Sequence, residues 1–210
     1  MRIAVLGATG KTGGLLVEQA RERGHEVVAL VRAPDRFAPP AGAEAGAGAG
    51  RVEVRRADVS APGTFPALDD VDVVVSAVGI SKGDGPGALA AGARRLAEAR
   101  VRTVWLGALG TGPSKGAGGL IYSAVMRIFV GAELAEKAEA DRIALDAGAT
   151  VFHAPDLTDG PLGPERRTVP LADHPRPLLP PRTSRATVAA LMLDEAERPH
   201  PSAGVVIPLG

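Results

Sequence analysis

The residues best suited to chemistry lie near the start of the chain, in Gly7-Ala8-Thr9-Gly10-Lys11-Thr12-Gly13. An apolar run, Ile3–Leu6, precedes them, and Leu15, Leu16, Gln19 and Ala20 follow at helical spacing. A loop between a strand and a helix offers backbone N–H groups and the positive end of a helix dipole, which is what a pyrophosphate needs. Side chains at Gly7 or Gly10 would block that approach, and Gly13 lets the helix lie close to the strand. The spacing is G-x-x-G-x-x-G rather than G-x-G-x-x-G, so the strand before and the helix after carry the dinucleotide reading. Thr9, Lys11 and Thr12 join the three glycines as expected cofactor contacts.

Gly10-Lys11-Thr12 also matches the end of a phosphate-loop NTPase motif, but only Ala8 and Thr9 separate Gly7 from Gly10, and Val5 stands where the first glycine of that motif belongs. The end of the second apolar run decides between dinucleotides. An NAD site places an acidic residue there to hold the ribose hydroxyl. This chain has Val31-Arg32, with Arg36 a turn later. A guanidinium forks onto a 2′-phosphate, which points to NADP(H). The plainer alternative is two solvated arginines, with Asp35 between them as a partner. Asp58, in Ala57-Asp58-Val59, either accepts from the adenine amino group or caps the segment after it. Ser76-Ala77-Val78-Gly79 offers small residues at a strand end, where ribose and phosphates can lie against backbone.

These groups need a frame. Strands are expected at Ile3–Leu6, Glu26–Val31, Val52–Val54, Val71–Val75, Arg102–Leu106, Thr150–His153 and Gly204–Ile207. Helices are expected over Leu15–Arg23, Ala88–Ala99, Ile121–Ala147 and Ser184–Glu197, with Ser184 as an N-cap. Alternating strands and helices predict an α/β fold: one Rossmann-type domain spanning 1–210, a doubly wound parallel sheet in three αβα layers. The Ala/Gly-rich stretch 39–50 is expected to be a flexible loop. The proline-punctuated stretch 161–182 is expected to be irregular and near the substrate cleft.

Composition removes several classes of function. The chain has 210 residues, 24 Lys plus Arg against 24 Asp plus Glu, and no cysteine. Zero net charge gives no electrostatic footprint for nucleic acid or an anionic membrane. Without cysteine there is no disulfide framework, thiol nucleophile or zinc–thiolate site. His25, His153, His174 and His200 are scattered without metal-ligand spacing, so no metal is expected. The chain reads as soluble and cytoplasmic, a monomer or small homo-oligomer.

Together, the glycine loop, Val31-Arg32, Ala57-Asp58-Val59 and Ala77-Val78-Gly79 resemble the atypical short-chain dehydrogenases. More narrowly, they resemble the NAD(P)H-binding proteins similar to biliverdin reductase B, also called flavin reductase. Glu136-Lys137-x-x-x-Asp141 with Ala147-Gly148, and Pro155-x-Leu157-Thr158-Asp159-Gly160-Pro161, are similar to further motifs of that group. The resemblance implies that Lys137 contacts cofactor or substrate; the plainer reading pairs it with Glu133 or Asp141. The chain also departs from the group. Gly107 and Ala108 stand where serines are usual, and Gly107 is expected to lie against the cofactor. His153-Ala154-Pro155 lacks an arginine before the proline. Glu133 occupies the tyrosine position of a Tyr-x-x-x-Lys pair, and the only tyrosine is Tyr122.

Ketone reduction makes an alkoxide and needs a positioned acid, commonly that tyrosine. Flavins, quinones and linear tetrapyrroles delocalise the charge of their reduced anions, so aligning two rings suffices. The sequence therefore predicts hydride transfer from NADPH to such a small planar acceptor, with Tyr122, Lys137 and His153 as candidate catalytic groups; the plainer alternatives are that Tyr122 only packs at the surface and that His153, at a strand end, is structural. The alternative is a non-catalytic NADP(H)-binding redox sensor. An extended epimerase would need the missing tyrosine and a larger C-terminal domain.

Overall fold

Consecutive residues of the first strand point to opposite faces of the sheet, and both faces are buried. Ile3 and Val5 join one apolar cluster, Ala4 and Leu6 another. The computed structural model describes residues 1–40, 42, 50–80, 86–119, 122, 131–175, 177 and 182–210. Within them the strands are β1 (Arg2–Leu6), β2 (Glu26–Val31), β3 (Val52–Arg56), β4 (Val73–Ser76), β5 (Thr103–Ala108), β6 (Thr150–Ala154), β7 (Leu157–Thr158), β8 (Arg167–Pro170), β9 (Thr183–Ser184) and β10 (Val205–Leu209). The helices are α1 (Lys11–Glu22), α2 (Ala88–Ala99), α3 (Gly131–Asp146) and α4 (Arg185–Ala196).

The main sheet has eight strands in the order β3-β2-β1-β4-β5-β6-β10-β8. All its pairings are parallel except that of β8 with β10. Leu16, Val17 and Ala20 of α1 pack with Val188, Ala189 and Met192 of α4 on one face. Leu89, Ala93 and Leu96 of α2 pack with Ala140 and Ala144 of α3 on the other. This is the expected three-layer Rossmann-type arrangement in one domain. The chain runs from β1 outward to β2 on one side and later returns to β4 on the other, which opens a crevice at the carboxyl ends of β1 and β4.

Several boundaries differ from expectation for local reasons. Val71 donates its N–H to Leu68 O in a turn, so β4 starts at Val73. β3 extends to Arg56 because its ladder with β2 continues through Leu30–Arg55 and Val31–Arg56. Part of the stretch 161–182 is regular: β8 pairs antiparallel with β10, Val169 opposite Ile207. Of the expected flexible loop 39–50, residues 41 and 43–49 lie outside the described residues, as do 121 and 123–130 of the expected long helix. Ser184 caps α4 as expected, its Oγ accepting from the Thr187 N–H at 3.1 Å.

Candidate functional site

The turn from β1 into α1 is built by close backbone approach. Gly7 has φ +82°, and a Cβ on it would stand 2.8 Å from Val78 N and 2.9 Å from the Ala77 carbonyl. A Cβ on Gly13 would run into Gly7 O. Glycine is therefore needed at both positions, at the first for its conformation and at the second for helix–strand contact. Gly10 is the N-cap of α1, but no side chain caps the helix and no acidic residue lies in its first turn. The N-terminal N–H groups of α1 are thus left for an anion.

Gly7, Thr9, Gly10, Arg32, Val59, Ala77, Val78 and Gly79 line one crevice, together with Ser60 and Leu30, which sequence reasoning did not single out. Arg36 lines a separate groove that shares Thr9 and Gly10 with the crevice. Asp58 acts as a local cap: its Oδ1 accepts from the Ser60 N–H at 2.9 Å. Lys11 donates to Asp159 Oδ2 at 2.7 Å, and Arg185 donates to Asp159 Oδ1 at 2.6 Å. The Lys11 hydrogen bond, aided by Arg185, holds the Asp159 carboxyl below its ordinary value. This fastens the segment after β7 to the glycine loop.

A second cavity of about 250 Å³ shares Ala77, Val78 and Gly79 with the first. Thr12, Leu89, Leu106, Gly107 and Leu157 give it largely apolar walls, and Lys137 and Asp141 bring charge to it from α3. Lys137 also pairs with Glu133 at 3.1 Å, as the plainer reading had it. The residue before Lys137, Glu136, accepts at Oε1 from the Leu89 N–H at 2.9 Å and closes the start of α2.

Under Gly107 lies a buried polar chain. Asp141, 1% exposed, accepts from Trp105 Nε1 at 3.0 Å and from Thr111 Oγ1 at 2.7 Å. His153 Nε2 stands 3.1 Å from Asp141 Oδ2, close but out of hydrogen-bond alignment. His153 Nδ1 is 2.5 Å from Ser114 Oγ. Of the two readings of His153, a cleft donor or a structural residue at a strand end, its place agrees with the second: it is fully buried beneath Gly107 because β6 is covered on both faces.

The structure does not bring Tyr122 to Lys137. The tyrosine packs with Leu109, Ala117 and Ile207 in a separate cluster and is not among the cavity-lining residues. Burial and the neighbouring Asp156 carboxylate push its hydroxyl up to about 12, the opposite of what a proton donor at neutral pH needs. Asp141 was quoted in a motif without being assigned a site. Its place four residues after Lys137, on the same helix face, was the available signal. Ser114 and Thr111 had none.

A parallel sheet with an uncapped glycine-loop helix at its switch point defines a Rossmann-type dinucleotide-binding protein. Residues 7–199 match the family model described as NAD(P)H-binding, and the chain belongs to that family. Similar solved structures include ChuY, an anaerobillin reductase from Escherichia coli O157:H7. It has TM-score 0.72 and 19% identity, covering 100% of this chain and 97% of that one. A short-chain dehydrogenase/reductase from Veillonella parvula DSM 2008 in complex with NADP has TM-score 0.78 and 14% identity, covering 100% and 94%. A Streptococcus pneumoniae TIGR4 protein provisionally described as an NADH-flavin reductase has TM-score 0.71 and 20% identity, covering 100% and 99%. At these identities the likeness establishes the fold. No curated protein matches the sequence. Among the described residues no helix is long and apolar enough to cross a membrane, and no group of three or more His, Asp or Glu residues is placed to hold a metal ion.

Proposed function

We propose that this protein is an NADPH-dependent reductase of a small planar conjugated acceptor: a flavin, a quinone or a linear tetrapyrrole. The observation that carries the reading is the continuity of the two cavities through Ala77, Val78 and Gly79. A dinucleotide laid along the crevice, with its pyrophosphate at the start of α1, directs its other end into the apolar cavity. The bound cofactor supplies two electrons and one hydrogen to the acceptor. The chain's own residues bind and align. Gly7, Gly10 and the N–H groups of α1 hold the pyrophosphate. Arg32, with Arg36 from the separate groove, takes a 2′-phosphate. Leu89, Leu106 and Leu157 wall off water around the ring faces.

The test is fluorescence titration of the purified protein with NADPH and with NADH, followed by FMN, menadione and biliverdin in turn. Tighter binding of NADPH and its steady oxidation with one acceptor support the reading. Binding without oxidation of any acceptor would sink it. That outcome would favour a redox sensor, a reading supported by the placement of the only tyrosine away from Lys137.

A further inference from the structure

We propose that Asp141 is the proton donor of the acceptor cavity and that His153, positioned by Ser114, keeps it supplied. The inference rests on the reductase reading and names a group that reading does not use.

The two hydroxyls beside the pair are ambiguous in a specific way. Thr111 Oγ1 has one hydrogen and two acceptors at 2.7 Å, Ala108 O and Asp141 Oδ2. Ser114 Oγ also has one hydrogen and two acceptors, Thr111 O at 3.1 Å and His153 Nδ1 at 2.5 Å, while accepting from the Gly110 N–H at 2.9 Å. Each hydroxyl therefore has two settings.

With a carboxylate and an imidazolium, Thr111 donates to Asp141, Nδ1–H donates to Ser114, and Ser114 donates to Thr111 O. With a neutral carboxyl and a neutral imidazole, reached when the Nε2 proton passes to Oδ2, Asp141 donates to Thr111, Thr111 to Ala108 O, and Nδ1–H still donates to Ser114. Both arrangements hold the same number of protons and pair each hydroxyl. After one proton leaves, the carboxylate still has Trp105 Nε1–H and Thr111 O–H as donors, with the Nε2–H of a neutral ring beside it. Loaded and spent states are both compatible with burial, which isolated buried charges are not.

The pair also has an outlet. Asp141 and Gly107 both line the acceptor cavity, and a Cβ on Gly107 would stand 2.6 Å from Asp141 Oδ1. A bare glycine at this point leaves the carboxyl next to the cavity wall. The charged groups near the pair are few. Lys137 lies one turn earlier on α3 and pairs with Glu133. From β5 the neutral Trp105 faces Asp141, and from β6 His153 does. Across α2, Arg94 pairs with Glu139 and the Leu89 N–H with Glu136. The turn before α3 contributes hydroxyls, with Lys115 exposed.

The step balances simply. An acceptor that has gained two electrons and one hydrogen from the cofactor is one proton short of its neutral reduced form. The O–H bond of the Asp141 carboxyl breaks, an N–H or O–H bond forms on the acceptor, and solvent returns one proton to the pair after product leaves.

The test combines a titration that needs no turnover with a kinetic one. In the wild-type chain labelled with ¹⁵N-histidine and ¹³C-aspartate, His153 and Asp141 are expected to respond to the same one-proton step. In Asp141→Asn the response at His153 differs from wild type, because the partner that shares its proton is gone. A ring that stays neutral throughout, or one that titrates without any response at Asp141, overturns the shared proton even if the variant does not fold.

With NADPH and FMN, wild-type kcat is expected to fall as pH rises through that step. Asp141→Asn lowers kcat by about 100-fold at low pH, removes the pH dependence, and leaves the KM for NADPH within about threefold. Turnover by wild type with an unchanged profile in Asp141→Asn overturns this proposal and leaves the reductase reading intact. A shared proton without turnover of any acceptor instead removes the reductase reading, and the donor role with it.

Discussion

Asp141 Oδ1 stands where it would lie 2.6 Å from a Cβ on Gly107, closer than real contacts allow. The strand gave up a side chain and the helix filled the place with a carboxylate. Gly107→Ala must push Asp141 away from Trp105 and Thr111, and overpacking of this kind costs about 1–3 kcal/mol. Urea denaturation is expected to show that loss. Wild-type stability in Gly107→Ala would mean that the carboxylate moves aside freely.

Arg32 lines the crevice that holds Gly7 and Gly10. A hydrogen bond between charged groups contributes about 1.5–3 kcal/mol. Arg32→Ala is therefore expected to weaken NADPH by about 10- to 100-fold and NADH hardly at all, as read by fluorescence titration. Equal losses for both nucleotides would remove Arg32 from 2′-phosphate recognition.

Gly13→Ala sets a methyl group against the Gly7 carbonyl, which is backbone and has no rotamer to change. The expected outcome is at least a tenfold loss of affinity for both nucleotides, together with a lower Tm. Gly63→Ala is the control, because nothing lies within 4 Å of the added Cβ and Gly63 is not among the residues lining the crevice. If both variants bind alike, the turn does not depend on close helix–strand contact.

As the only tyrosine, Tyr122 gives a clean ultraviolet titration. Its ionisation midpoint is expected near 12 in the folded protein. Tyr122→Phe removes a partner of Asp156, costs about 1 kcal/mol, and leaves NADPH binding and any turnover within about twofold. A large drop in kcat would return Tyr122 to the site.

Glu197 follows α4 and meets Arg23 and His25 at the end of α1, at 3.0 and 2.8 Å. Burial would raise its carboxyl, but the hydrogen bonds from His25 and Arg23 outweigh it and hold it below its ordinary value. The stability it contributes is thus fully present above the unfolded value of about 4.3. It is lost as pH falls through the lower folded value. Glu197→Gln is expected to lower Tm at pH 7 and to leave the difference from wild type smaller at pH 3. A gap that stays constant would show that the pair does not link folding to protonation.

The glycine loop was legible because everything that makes it is local: an apolar strand, glycines at fixed offsets, and a helix with no cap residue at Gly10. Strand β8 was not, since Arg167–Pro170 has no apolar run and becomes a strand only when Val206–Leu209 lies beside it. The same holds for the site. Arg32 and Gly79 sit at strand ends, where topology alone brings them to the crevice. Asp141 sits among Glu136, Glu139, Arg142 and Asp146 in a helix that reads as solvated. Only the tertiary arrival of Trp105 and Thr111 makes it a buried acceptor. Tyr122 and His153 were selected by residue type, which says nothing of the face they occupy.

The place of β10 between β6 and β8 bears on the order in which the molecule can be made. While the chain is being synthesised, β6 emerges with one free edge, and β8 with no partner in the main sheet until residues 205–209 appear. For that interval the carboxyl-terminal third has unpaired strand edges, which other chains can join. A ribosome that stalls or a protease that cuts shortly before Val205 would leave the cofactor half of the sheet complete and an adhesive border on its far side, so loss of β10 would be felt as aggregation rather than as loss of nucleotide binding.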